Sequence, residues 1–300
     1  MRQVSNFPVA MTWHFGVRTP AMGNLRAVLS VSLLSFAACG GDGGSAKPDA
    51  PVIHLDAAVD AAPDTPPLPD APSYDLTCLN NTAPTTANAT VTISGTTQEI
   101  SVSGGGPSVM PVSGAMVKSC KGDCTGQNNL GTVTSGMGGA FTTAPLATGG
   151  VPLDGYIDVT RSGDRRTLVY PPSPLTMNQS GVPVLMFNSQ AFALLNGAGV
   201  LNPPQNDTNN GLVGIIVTDC MNVPITEGVV VSVKQNNMTV GNDPLDLGSL
   251  AAQGAGTWLI ANVPPGNTEV GATYNGMTFR AHTVVSVVAS TVTTGVRPGF

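Results

Sequence analysis

From about residue 89 onward, glycine, proline and asparagine cut the chain into short β-branched runs, and this punctuation constrains its fold more than any other feature. Thr268, Val270, Ala272 and Tyr274 alternate, Asn275-Gly276 follows, and Met277, Phe279 and Ala281 return. An Asn-Gly pair between alternating runs marks a hairpin, because both central residues of the favoured two-residue turn need positive φ. Asn262-Val263-Pro264-Pro265-Gly266 is a second turn with proline and glycine where turn geometry wants them. Charged residues make up only 10% of the chain, against 36 Gly and 25 Pro, which excludes helical bundles and coiled coils. The expectation is an all-β chain.

The runs recur in a similar order. In the first half they are Val91–Gly95, Pro111–Val117, Ala140–Thr143, Tyr156–Thr160 and Leu168–Tyr170, with Arg161–Arg166 as a polar hairpin tip. In the second they are Leu212–Val217, Val229–Val233, Thr257–Ile260, Thr268–Tyr274, Thr283–Val288 and Thr291–Val296. Between them Ser189–Leu195 predicts a short helix, capped by Asn188 or Ser189 and ended by Gly197, and Asn202–Gly211 reads as a joint. Strands at this spacing predict two tandem Greek-key β-sandwich modules, residues 76–200 and 208–300.

The second module resembles the carboxypeptidase regulatory-like family of small transthyretin-like sandwiches. The resemblance is carried by Gly214–Asp219, by Pro224-Ile225-Thr226-Glu227-Gly228-Val229-Val230-Val231, and by Gly256-Thr257-Trp258-Leu259 ahead of Val263-Pro264-Pro265-Gly266. Residues 88–172 follow the same order more loosely. Cys220-Met221-Asn222 replaces the family's small turn after the first strand, and Gly104–Gly106 is an insertion in the first module. The resemblance implies a supporting or displaying module; fold alone does not license a function.

Ahead of the modules, Ala27–Ala38 is an uncharged apolar run of twelve residues preceded by Arg26. As a helix it would span roughly 18 Å, too short for a bilayer core of about 30 Å, so it reads as a secretory signal. Its end, Ser35-Phe36-Ala37-Ala38-Cys39-Gly40-Gly41, resembles the lipobox of bacterial lipoproteins, departing at Phe36, where leucine is usual. That resemblance implies a lipid on Cys39, export, and anchoring in the cell envelope, with the outer membrane of a Gram-negative bacterium expected from Gly40 at the following position. Met22 stands at the distance a short signal needs and is the expected start of translation, which leaves residues 1–38 as the signal region. Residues 39–75 read as a tether. Between Gly40 and Asp75 seven Asp accompany one Lys, and prolines 63, 66, 67, 69 and 72 forbid a continuous helix. A disordered, semi-extended spacer reaching roughly 100 Å is expected.

Little in the modules suggests chemistry. The histidines are His14, His54 and His282, so a Ser–His–Asp triad or a histidine-bearing zinc site would need His282, which reads as a surface residue at a strand end. Asp154 and Asp158 stand an even number of residues apart and could share a strand face for glycosidic chemistry or calcium. Solvated acids are the commoner outcome. Trp258 reads as core. No basic cluster exceeds Arg165-Arg166, which excludes a nucleic-acid footprint.

Beyond Cys39 the cysteines are Cys78, Cys120, Cys124 and Cys220. An even number in an exported chain points to disulfides with three possible connectivities. Cys120-Lys121-Gly122-Asp123-Cys124 can close on itself, leaving Cys78–Cys220. The rival pairings join Cys78 to Cys120 or Cys124 and leave Cys220 for the other. A four-thiolate zinc site lacks paired CxxC spacing. The sequence thus predicts no catalytic, cofactor or metal residues. The expected role is a non-enzymatic lipoprotein for adhesion, display or envelope structure, with the membrane, envelope proteins or glycans as partners. A carbohydrate- or peptide-binding protein using loops at one end of a sandwich is the alternative, which an exposed groove with Tyr156 or Tyr274 would favour. A hydrolase using Asp154 and Asp158 is a third.

Overall fold

The computed structural model describes residues 73–103, 106–197, 199–249 and 256–300. The export segment, Cys39 and the tether up to residue 72 lie outside the described residues. The described chain is an all-β sandwich whose largest sheet has eight strands. In spatial order these are Leu245–Asp246, Thr257–Val263, Gly211–Val217, Ser290–Val296, Arg166–Tyr170, Tyr156–Thr160, Met116–Cys120 and Asn129–Thr134. Strands from both halves of the sequence therefore share one hydrogen-bonded ladder. The link is Ser290–Val296, parallel to Gly211–Val217 on one side and to Arg166–Tyr170 on the other, with Ser290 opposite Arg166 and Thr294 opposite Tyr170. Parallel strands are usually covered on both faces. That is why Gly211–Val217 reads as a continuous apolar run, with Leu212, Val213, Ile215 and Val217 all fully buried.

Two further sheets cover this one. Gln179–Phe187, Ile93–Ser103 and Gly106–Pro111, with Ala140–Thr142, form the first. Val229–Gln235 and Gly266–Tyr274, with Met238–Thr239, Met277–Thr278 and His282–Ser286, form the second. Side chains alternate across a strand, so Tyr156–Thr160 feeds both cores. Ile157 and Val159 join Val117, Phe141, Val184 and Met186, whereas Tyr156 joins the cluster of Ile215, Trp258, Val270 and Val292.

Most predicted runs emerge as strands with ends shifted by a few residues, and Asn275-Gly276 turns with φ of 46° and 82°. Pro111–Val117 instead spans the end of Gly106–Pro111, a turn with Gly114 at φ 78°, and the start of Met116–Cys120. Ser189–Gly197 is helical, and Asn188 caps it by accepting the Gln190 N–H through Oδ1 at 2.9 Å. Gln179–Phe187 is a strand that local pattern conceals. Pro183 argues against a central strand and Gly181 turns with φ of 71°. The structure accommodates both by placing the strand at a sheet edge, parallel to Ile93–Ser103 with a bulge between Gln179 and Val182.

Candidate functional site

The cysteines form two disulfides, Cys78–Cys220 and Cys120–Cys124. The first closes a sequence separation of 142 residues and sits in a backbone knot. Cys220 N–H donates to Asp75 O at 2.8 Å, and Asp219 accepts the N–H groups of Asp75, Met221 and Val223 at 2.8–3.0 Å. Constraining so long a loop in the unfolded chain is worth about 5 kcal/mol on a chain-entropy account. The second disulfide closes a loop that Asp123 organises by accepting from Thr125 and Asn128, contacts that hold its carboxyl down at about 2. Sulfur and carboxylate oxygens of Cys120, Cys124 and Asp158 lie within 4.8 Å of one another. Those atoms are already committed, the sulfurs to each other and the carboxylate to Arg166.

Asp154 and Asp158 occupy different settings. Asp158 is buried in its strand and gripped by Arg166, Nε to Oδ1 and Nη2 to Oδ2, both at 2.9 Å. Asp154 precedes the strand and is exposed. Both Asp158 oxygens are thus taken up by one guanidinium, and Asp154 does not share that setting, so the two acids expected for the hydrolase reading do not form a pair. The two tyrosines that an exposed binding groove would have had to present are also engaged. Tyr156 is 9% exposed and stacks on Tyr170 at 4.7 Å, and Tyr274 meets Tyr74 edge-on at 5.5 Å. Trp258 is core.

The concave surface gathers around Pro171-Pro172-Ser173-Pro174, the segment that follows the strand Arg166–Tyr170. Pockets of about 200, 400 and 650 Å³ use this segment as a wall. Gly295 lets the wall approach the last strand, since a Cβ there would stand 3.3 Å from Pro172 Cβ. Gly299 brings the following segment still closer to Cys78, whose carbonyl oxygen leaves no room for a side chain. Phe300 is thereby placed under Arg280, whose guanidinium carbon lies 3.9 Å from the ring centroid. Arg280 Nη1 also donates to Pro172 O at 3.2 Å.

His282 lines the pocket of about 200 Å³ and is partly buried, contrary to the expected surface position. The reason is its ladder: it sits opposite Val270, on a strand packed over the last one. Its Nε2 lies 2.7 Å from Thr294 Oγ1, and that hydroxyl donates its one hydrogen to Tyr170 O at 3.1 Å. Thr294 must therefore accept, which makes His282 an Nε2–H tautomer with a bare Nδ1 lone pair. Burial, reinforced by the Arg280 charge, pushes its pKa down to about 4. The ring is neutral at pH 7, and among the described residues no carboxylate hydrogen-bonds it, so the described residues form no Ser–His–Asp triad around it.

No family model matches the sequence, and no curated protein does. Among solved structures the chain is similar to the minor pilin GBS52 of Streptococcus agalactiae, with 11% identity, 70% of this chain and 96% of that one covered, and a TM-score of 0.22. It is similar to the shaft pilin SpaA of Lactobacillus rhamnosus GG, with 10% identity, 69% and 96% coverage and a TM-score of 0.21. It is also similar to the Bacillus anthracis TIE protein, with 8% identity, 69% and 33% coverage and a TM-score of 0.20.

Proposed function

We propose that this chain is a non-catalytic lipoprotein of the cell envelope, anchored through Cys39 and serving adhesion, display or envelope structure. In this reading residues 39–75 are a spacer that carries two β modules, 76–200 and 208–300, clear of an outer membrane. The observation that carries it is the adjacency of the Ala27–Cys39 run, the Asp- and Pro-rich stretch, and a body closed by Cys78–Cys220. Disulfides of this kind persist in oxidising, extracytoplasmic compartments. Among the described residues no helix is long and apolar enough to cross a membrane, and a lipid is the attachment that the sequence offers. The buried acid of the folded part is used structurally, as Asp158 on Arg166 illustrates.

The test is metabolic labelling with a radioactive fatty acid, in cells expressing the full chain or its Cys39→Ser variant. Label on the wild type, its loss in the variant, and a shift of the variant from the membrane to the soluble fraction are expected. An unlabelled wild type that still sediments with membranes would overturn the lipid anchor.

A further inference from the structure

Residues 76–300 hold five arginines, and they divide sharply. Arg161 is held by Glu99 and Asp164, Arg165 by Asp207, and Arg166 by Asp158. Among the described residues, Arg280 and Arg297 have no carboxylate within 4.0 Å. Both are partly buried, and the Nε of each, like that of Arg165, is shielded from solvent without an acceptor. A cation withdrawn from water without a counter-charge is a net cost to the fold. At Arg280, burial first and then the Arg297 charge lower the pKa, and Asp154 opposes them in part. Two arginines without an ion pair beside concave surface, one of them sharing its pocket with a single carboxylate, the exposed Asp154, are what an anion site looks like before its anion arrives.

The surroundings narrow the ligand. Arg280 lines the pocket of about 200 Å³ and Arg297 the pocket of about 650 Å³, on either side of Pro171–Pro174. Phe300 lines the larger pocket and supports the Arg280 guanidinium from below, fixing its plane. The proline rings offer CH faces suited to the body of a sugar ring, and guanidinium forks match carboxylate or phosphate. Asp154 lines the smaller pocket as an exposed carboxylate. It would repel a bare anion but accepts hydrogen bonds from hydroxyls. His282, with its hydrogen already given to Thr294, donates nothing further and acts as wall.

We propose that the two pockets flanking Pro171–Pro174 bind a hydroxylated oxyanion, a sugar acid or a sugar phosphate. Arg280 and Arg297 supply the counter-charge and Asp154 accepts from a ligand hydroxyl.

Calorimetric titration of the full chain with glucuronate, glucose 6-phosphate, glucose and inorganic phosphate tests this. Saturable binding of at least one charged sugar, and none of glucose, is expected. The preferred charged sugar identifies carboxylate or phosphate as the group bound. Arg280→Gln and Arg297→Gln should each weaken binding roughly tenfold or more, since hydrogen bonds to charged groups are the strong ones. Asp154→Asn should weaken the charged sugars, which lose an acceptor for a hydroxyl, while inorganic phosphate, freed of a repelling carboxylate, should bind no more weakly than before. Should an arginine variant fail to fold, the wild-type NMR signals of the Arg280 and Arg297 Nε–H groups decide: movement on adding the charged sugar supports the site. No saturable heat from either charged sugar, binding indifferent to both arginine substitutions, unmoved Nε–H signals, or inorganic phosphate binding as tightly as glucose 6-phosphate would each overturn the proposal.

Discussion

The hairpin around Arg161–Arg166 and the segment from Arg280 to Phe300 meet on adjacent strands of one sheet, yet they treat positive charge in opposite ways. At the hairpin every guanidinium has a carboxylate. Arg165 is the most buried of the five, and its charge is balanced by Asp207, by Ser290 O at 3.1 Å and by the Phe192 ring, whose centroid is 4.3 Å from its guanidinium carbon. At the C-terminal segment Arg280 has one carbonyl and one ring, and Arg297 has no hydrogen bond among the described residues. Internal pairing marks arginines that hold the fold. Charge left without a counter-ion beside a cavity marks surface whose energy is completed from outside.

The largest effect should come from breaking the balanced side. Asp207→Ala leaves Arg165 buried and unmatched, and should lower unfolding free energy by about 2–4 kcal/mol. That is toward the low end for a buried pair, because the Asp207 side chain is 40% exposed. Urea denaturation measures it, and a loss below about 0.5 kcal/mol would erase the distinction between the two regions.

Acid comes next. His282 has a folded pKa of about 4 against 6.5 in the unfolded chain. The unfolded state therefore binds the extra proton first as pH falls. Stability is fully present above pH 6.5 and declines toward pH 4, by about 3 kcal/mol from this residue. The groups facing the ring are Arg280, which opposes its charging, and Thr294, which holds its neutral form. The difference in denaturation midpoint between wild type and His282→Gln, followed from pH 7 to pH 4, should narrow correspondingly. A constant difference would show that His282 titrates normally.

The smallest effect should come from the unbalanced side. Arg280→Met removes a desolvated charge along with one carbonyl contact and one ring contact, and these should nearly cancel, leaving stability within about 1 kcal/mol of wild type. A loss of more than about 2 kcal/mol in the same urea series would place Arg280 with the structural arginines.

Much of the strand content was legible because alternation and turn chemistry act over a few residues. Asn275-Gly276 announces its hairpin whatever surrounds it, and Asn188 caps its helix with its own side chain. Gln179–Phe187 was not legible, because Pro183 is forbidden in a central strand and allowed at an edge, and edge position is a tertiary property. The Cys120–Cys124 loop could be read from spacing. Its companion bond followed only as the remainder among three connectivities, and the structure selects it through the contacts of Asp75 and Asp219. The arginine pocket escaped the sequence reading. Arg280 and Arg297 are more than a hundred residues from Pro171 and Asp154 in the chain, and the Pro-Pro-Ser-Pro run by itself marks only the end of a strand.

By itself, then, the sequence determined an all-β chain, its turns, its cysteine inventory and the expectation of export, because each is encoded locally or by composition. The tertiary structure alone decided that the last strand sits between the halves, that His282 gives its hydrogen to Thr294, and which arginines find carboxylates. Those outcomes depend on strand partners more than a hundred residues apart, such as Ser290 and Arg166. Residues so distant are brought together by packing of the whole body, and no short stretch of sequence carries that choice.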